Sequence, residues 1–160
     1  MKKYELTNET IVLCDNITLY RIKALKDFGD VKKGDLGGWI EKESNLSQKG
    51  KCWVYDNAKV SGHAEVSGHA EVSGNAEVSG NAKVYGEARV YGNARVFGNA
   101  RVFGGAKVFG NAWVSGDAWI YDTAEVFGNA RVFGDAEVSG NARVSDDAWV
   151  YGNAKVFGNA

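Results

Sequence analysis

The sequence holds no proline, and only two cysteines, two histidines and one methionine among 160 residues. Cys14 and Cys52 are too few for a disulfide framework and fit buried thiols in a reducing cytosol. No apolar run is long enough to span a bilayer, and no secretory segment follows Met1-Lys2-Lys3. A cytoplasmic chain without membrane contact is therefore expected. Net charge is also nearly absent, at -1, so nothing global points to nucleic acid or an anionic surface. Four threonines, Thr7, Thr10, Thr18 and Thr123, cannot make the flat ranks that ice binding needs. What is plentiful is glycine, 21 residues, set at so strict a period that it reads as repeated turns and not as disorder.

From Ala58 to Ala160 every sixth residue is alanine, and two places after each comes valine, or once Ile120. The unit A-x-V-x-G-N runs through seventeen full copies without insertion or deletion. In Ala94-Arg95-Val96-Phe97-Gly98-Asn99, strand alternation puts Ala94 and Val96 on an inner face and Arg95 and Phe97 outside. Gly98 and Asn99 then turn the corner, glycine because it accepts positive φ and Asn or Asp because they tolerate it best. Asp117, Asp135, Asp147, Gly105 or a histidine stands at other corners. Three sides of six residues predict a triangular coil of eighteen, with coils stacked as parallel strands about 4.8 Å apart. Period five or nine would mean other solenoids, and neither fits. This pattern resembles the left-handed parallel β-helix, and the resemblance implies the handedness.

The register extends upstream in weaker form. Cys52, Leu46 and Ile40 fall on the alanine track, whereas Gln48 and Lys42 break the valine track. The expected organisation is an N-terminal β cap over 1–39, an irregular first coil over 40–57 and regular hexads over 58–160. In the cap, Tyr4-Glu5-Leu6, Thr10 to Leu13 and Thr18 to Ile22 alternate as strands, with Asp15-Asn16 as a hairpin turn. A glycine-rich loop leads from Asp27 to Trp39. The last coil carries no capping element, so stacking on another copy or on a partner is expected.

Residues eighteen apart stack in outward columns. These are Lys59-Glu77-Arg95-Trp113-Arg131-Trp149, Glu65-Lys83-Arg101-Trp119-Glu137-Lys155 and Trp53-Glu71-Arg89-Lys107-Glu125-Arg143. Opposite charges and cation–indole pairs become neighbours, each worth about 0.2–1 kcal/mol. Lys83, Arg89, Arg95, Arg101 and Lys107 alternate with Tyr85, Tyr91, Phe97, Phe103 and Phe109. This belt reads in two ways. Arg and aromatic residues anchor protein interfaces, which nominates Arg89, Arg95, Arg101, Phe97, Phe103, Phe109, Trp113 and Trp119 as partner contacts. Alternatively the rings only stack between coils, Tyr85 on Phe103 on Tyr121 and Tyr91 on Phe109 on Phe127. Single-stranded nucleic acid would also accept such interleaving, but a prism offers it no groove.

At fold level, about two-thirds of the chain resembles the trimeric hexapeptide acyltransferases and the γ-class carbonic anhydrases. The resemblance implies a histidine working at a cleft, as base or zinc ligand. Only His63 and His69 exist, both at corner positions and on neighbouring corners. They read as exposed corner residues, which leaves no catalytic residue, no metal site and no cofactor. Leu19-Tyr20-Arg21-Ile22-Lys23-Ala24-Leu25, Gly34-Asp35-Leu36-Gly37-Gly38-Trp39-Ile40 and Cys52-Trp53-Val54-Tyr55-Asp56-Asn57-Ala58 resemble a family of small bacterial hexapeptide-repeat proteins, transferase-like or polymer-forming. It is common in phages and prophages. The expectation is a non-catalytic binding or self-assembling β-helix, an assembly protein or an inhibitor of a host defence complex. An acyltransferase-like enzyme is the alternative.

Overall fold

A computed structural model describes residues 1–160. Three longer strands open the chain: β1 (Tyr4–Val12), β2 (Thr18–Ala24) and β3 (Leu36–Ile40). Eighteen two-residue strands follow, from Trp53–Val54 to Lys155–Val156. Each consists of the residue on the outward track and the valine, or once Ile120, that follows it. They form a parallel β-helix with three flat faces. Arg95 pairs with Trp113 and Val96 with Val114, so one coil takes eighteen residues. Face one bears Lys59, Glu77 and Arg95, face two Glu71, Arg89 and Lys107, and face three Glu65, Lys83 and Arg101. The expected columns pair in the expected register, with Trp53 as the one member that is not outward.

The hexad works as its residue types dictate. Alanines from Ala58 to Ala142 and valines from Val60 to Val138 fill the interior, nearly all with no exposed surface. Each buried valine contributes about 1.5–3 kcal/mol, and the same small plug repeats in every coil. Alanine sits beside the corner and is fully buried from Ala58 to Ala142. The corner itself needs the left-handed region: Gly98 has φ 67°, and a Cβ there would lie 2.9 Å from the Gly116 nitrogen in the next coil. Only the first of the two corner residues takes positive φ. Asp56, Asp122 and Asp146 stand on this glycine track and adopt it, at 56°, 59° and 58°. Asp117, Asp135 and Asp147 follow the glycine track by one residue and do not adopt it.

The N-terminal part corrects several expectations. The two short strands before the hairpin are one strand, β1, with a bulge between Leu6 and Thr10. The turn after it does use positive φ at Asp15 and Asn16. β1 pairs with β2 and β2 with β3, both antiparallel, and β3 then runs parallel to Lys59–Val60 on face one. Gly37 and Gly38, expected in a loop, lie inside β3. Side chains there would strike the Val54 and Ala58 carbonyl oxygens at 2.6 Å. Ile40 pairs with Val60, and Leu46 bridges to Val66, so both occupy the valine track and not the alanine track. Val54 pairs with Val72 at the regular spacing. Two extra residues between Leu46 and Val54 absorb the shift. Gln48 falls in this stretch and accepts from the Lys3 and Tyr4 backbone N–H groups.

Trp53, placed outward by its column, is buried beneath Tyr4 and Phe28, whose rings meet it edge-on at 6.1 and 5.2 Å. Of the two thiols expected to be buried, Cys52 is and Cys14 is exposed. No helix is long and apolar enough to cross a membrane.

Tyr4 Oη donates to the Leu46 and Glu43 carbonyls. Burial first, then the Glu43 carboxylate, pushes this phenol above its ordinary value of 10.0. The folded chain therefore keeps a proton that the unfolded chain releases above pH 10, so stability supplied by the phenol is complete below that value and declines above it. Tyr4→Phe is expected to unfold more easily than the native chain at pH 8. The gap between the two should narrow as the pH rises beyond 10, in urea titrations followed by circular dichroism.

Candidate functional site

Stacked corners carry polar ladders. On one corner Asn75, Asn93, Asn111, Asn129 and Asp147 are joined side chain to side chain, at 3.2–3.4 Å. On a second corner Asn81 donates to Asn99 at 3.2 Å and Asn99 to Asp117 at 3.0 Å. The third corner departs from this rule. From the first coil onward it reads Lys51, His69, Glu87, Gly105 and Thr123, each stacked on the last through a backbone N–H to the following coil. Its side-chain ladder begins only at Thr123, which donates to Asn141.

A cleft of about 690 Å³ opens where that ladder is missing. Its floor is Lys51, His69, Glu87 and Gly105 of the corner with Glu71, Arg89 and Lys107 of face two, and Tyr55 and the Gly29–Asp30 loop close one side. The lining is polar apart from Tyr55. Tyr55 Oη donates to Asp30 Oδ1 at 2.9 Å and so ties the N-terminal loop to the coil. Burial, then the Asp30 hydrogen bond and the Glu71 charge, raises this phenol well above its ordinary value. Arg89 Nε meets Glu71 Oε2 at 3.1 Å. Lys51, Lys107 and Glu87 take part in none of the six ion pairs. Gly105 is not a conformational requirement, because it lacks positive φ and a Cβ there would meet nothing closer than 3.4 Å. Its effect is to leave the corner without a side chain.

His63 lies elsewhere, on the second corner, with Nδ1 3.2 Å from Lys42 Nζ. No group of three His, Cys, Asp or Glu side chains could hold a metal ion. From the sequence alone both histidines read as exposed corner residues. The signal for the cleft is an eighteen-residue period of exceptions, His69, Glu87 and Gly105, which puts three departures on one corner.

The nominated belt residues are spread around the prism. Arg95 and Trp113 share face one, Arg101 and Trp119 face three, and Arg89 stands on face two, in the cleft. Arg95 also pairs with Glu77 at 3.3 Å and lies 5.5 Å over the Trp113 ring. Arg101 lies 5.6 Å over Trp119. The rings stack between coils: Tyr85–Phe103 at 5.0 Å, Phe103–Tyr121 at 5.1 Å, and Tyr91–Phe109 and Phe109–Phe127 both at 4.9 Å. Phe97 has no ring directly above or below it and meets Trp113 edge-on at 5.9 Å. Trp119 remains 41% exposed.

Three stretches, residues 88–104, 94–108 and 136–152, match the family described as YdcK beta solenoid repeat. The chain is also similar to a protein of Escherichia coli (strain K12) named uncharacterized acetyltransferase YdcK, at 38% identity over 68 residues. That match covers 38% of this chain and 21% of the relative, so the chain spans about a fifth of the relative's length. The similarity supports a hexapeptide-repeat β-helix. It also overturns the expectation that the chain is not an enzyme, since the relative is named as one and the corner departures lie together in a cleft.

Phe103 is the middle ring of three. Phe103→Ser is expected to lower stability by about 1–3 kcal/mol through two lost stacking contacts, read from the urea midpoint. Phe97→Ser, with one edge contact, should cost less.

Proposed function

We propose that the chain is the β-helix of an acyl-transferring enzyme, with the third-corner cleft as its active site and His69 as its general base. The observation that carries this reading is the lapse of the corner ladder at His69, Glu87 and Gly105, where a polar cleft takes its place. Likeness to a protein named as an acetyltransferase supports the reaction class. His69 would take the proton from an acceptor hydroxyl or amine as that atom attacks an acyl carbonyl. Glu87, one coil above on the same corner, would orient the imidazole and stabilise its protonated form. Lys51 and Lys107, cations without a carboxylate partner, would hold the phosphates of an acyl-coenzyme A, which when bound supplies an activated thioester. A polar lining suits a hydrophilic acceptor better than a hydrocarbon one.

The test is release of free thiol from acetyl-coenzyme A by the full chain, with a panel of amine and hydroxyl acceptors. His69→Asn installs the residue usual on this track, so the fold should persist while the rate falls about 100-fold or more. His63→Asn should leave the rate unchanged. Gly105→Asn should keep the melting temperature and raise KM by filling the cleft. The reading fails if the native chain neither binds acetyl-coenzyme A nor releases thiol, or if His69→Asn is as fast as native.

A second reading concerns partners. Trp119 keeps an exposed ring on face three, away from the last coil, and such an indole suits contact with a second copy of the chain. Light scattering is expected to give a mass above one chain that falls for Trp119→Glu. A one-chain mass for the native protein at every concentration would dismiss self-association.

A further inference from the structure

Beneath the cleft, and outside the proposed chemistry, lies a lysine buried against a thiol. Lys3 is 1% exposed and Cys52 fully buried. Lys3 Nζ lies 3.3 Å from Cys52 Sγ, 2.7 Å from the Cys52 carbonyl oxygen and 3.4 Å from the Lys49 and Gly50 carbonyl oxygens. The Phe28 ring covers it at 4.9 Å. No carboxylate pairs with Lys3, which is absent from all six ion pairs. A buried ammonium without a carboxylate partner is costly, so burial shifts the balance toward the neutral amine. Burial is also the main cause that holds the Lys3 amine below its ordinary pKa and pushes the Cys52 thiol above its own. The pair thus holds an amine nitrogen, donating to the sulfur and to three carbonyl oxygens, at contact distance from that sulfur, with both side chains closed off from solvent.

We infer that Lys3 and Cys52 form a covalent modification site, an Nζ–O–Sγ cross-link made with dioxygen as the oxidant. One N–H bond and the S–H bond break, and the O–O bond of dioxygen is cleaved. One oxygen atom enters between nitrogen and sulfur, forming N–O and O–S bonds. The other leaves as water with the two hydrogens released. Nitrogen and sulfur together give up the four electrons that dioxygen takes. A dithiol reductant reverses the change and returns amine, thiol and water. The bond would tie the start of β1 to the first coil, beside Lys51 of the cleft. Cys14, exposed and 38 positions away in sequence, has no such neighbour and serves as the internal control.

The full chain would be held in air-saturated buffer, or under nitrogen with dithiothreitol, then unfolded and treated with N-ethylmaleimide. After air exposure we expect Cys14 labelled and Cys52 unlabelled. The intact mass should show one oxygen gained and two hydrogens lost, and a proteolytic fragment should join Lys3 to Cys52. The reduced sample should label at both thiols. Lys3→Arg and Cys52→Ser should abolish the joined fragment, and Cys14→Ser should retain it. Equal labelling of both thiols after air exposure would overturn the inference. So would loss of two hydrogens without added oxygen, the mark of a disulfide, or oxygen retained at Cys52 in Lys3→Arg. Fragment mapping of the native chain decides the matter even where a variant fails to fold.

Discussion

The regular coils depend on glycine stacking over glycine, or over an aspartate that takes the same turn, at corners eighteen residues apart. At Gly98 the backbone already has the conformation that costs an L residue most, and the next coil leaves no room for a Cβ. A coil that kept the turn but changed its length would lift the alanine and valine columns out of register. That explains the absence of insertions through the repeat. It also sets how such a protein can acquire a site. Loops cannot be added cheaply to the regular coils, so function has to be written in outward side chains or supplied by the irregular first coil.

The outward side chains first serve the helix itself. Glu71 and Arg89, Glu77 and Arg95, and Glu125 and Arg143 pair across coils, and Arg131 lies 4.5 Å over Trp113. Each exposed pair adds little alone. Together with the asparagine ladders and stacked rings they penalise a register slip, because a slip breaks every pair at once. Much of the charge and aromaticity is accounted for in this way. What stands out are the places where a ladder stops. The third corner stops between Lys51 and Thr123, and there the protein places histidine, glutamate and glycine.

Much of the fold was legible in the sequence because the interior is one pattern repeated. Ala94 and Val96 point inward for reasons contained in six residues. Ile40 and Leu46 were misplaced because two extra residues before Val54 change the track, and apolar residues fit either track. Trp53 looked outward because its column is outward, but residues far away in sequence, Tyr4 and Phe28, cover it. The site was half legible. Its corner residues follow the eighteen-residue period, whereas the wall formed by Asp30 and Tyr55 depends on the path of the N-terminal loop, which no periodicity encodes.

That path joins the cleft to the buried lysine. Phe28 packs on Trp53 at 5.2 Å and under Lys3 Nζ at 4.9 Å, and the next two residues, Gly29 and Asp30, wall the cleft. Cys52, in contact with that same nitrogen, follows Lys51 of the cleft floor. The packing that buries Lys3 therefore also sets where Asp30 stands relative to His69. The N-terminal strands do more than cover the first coil: they provide the one cleft wall that the repeat cannot make. A change that loosens Lys3 from Cys52 acts on that wall before it acts on the solenoid, whose regular coils hold together through contacts of their own.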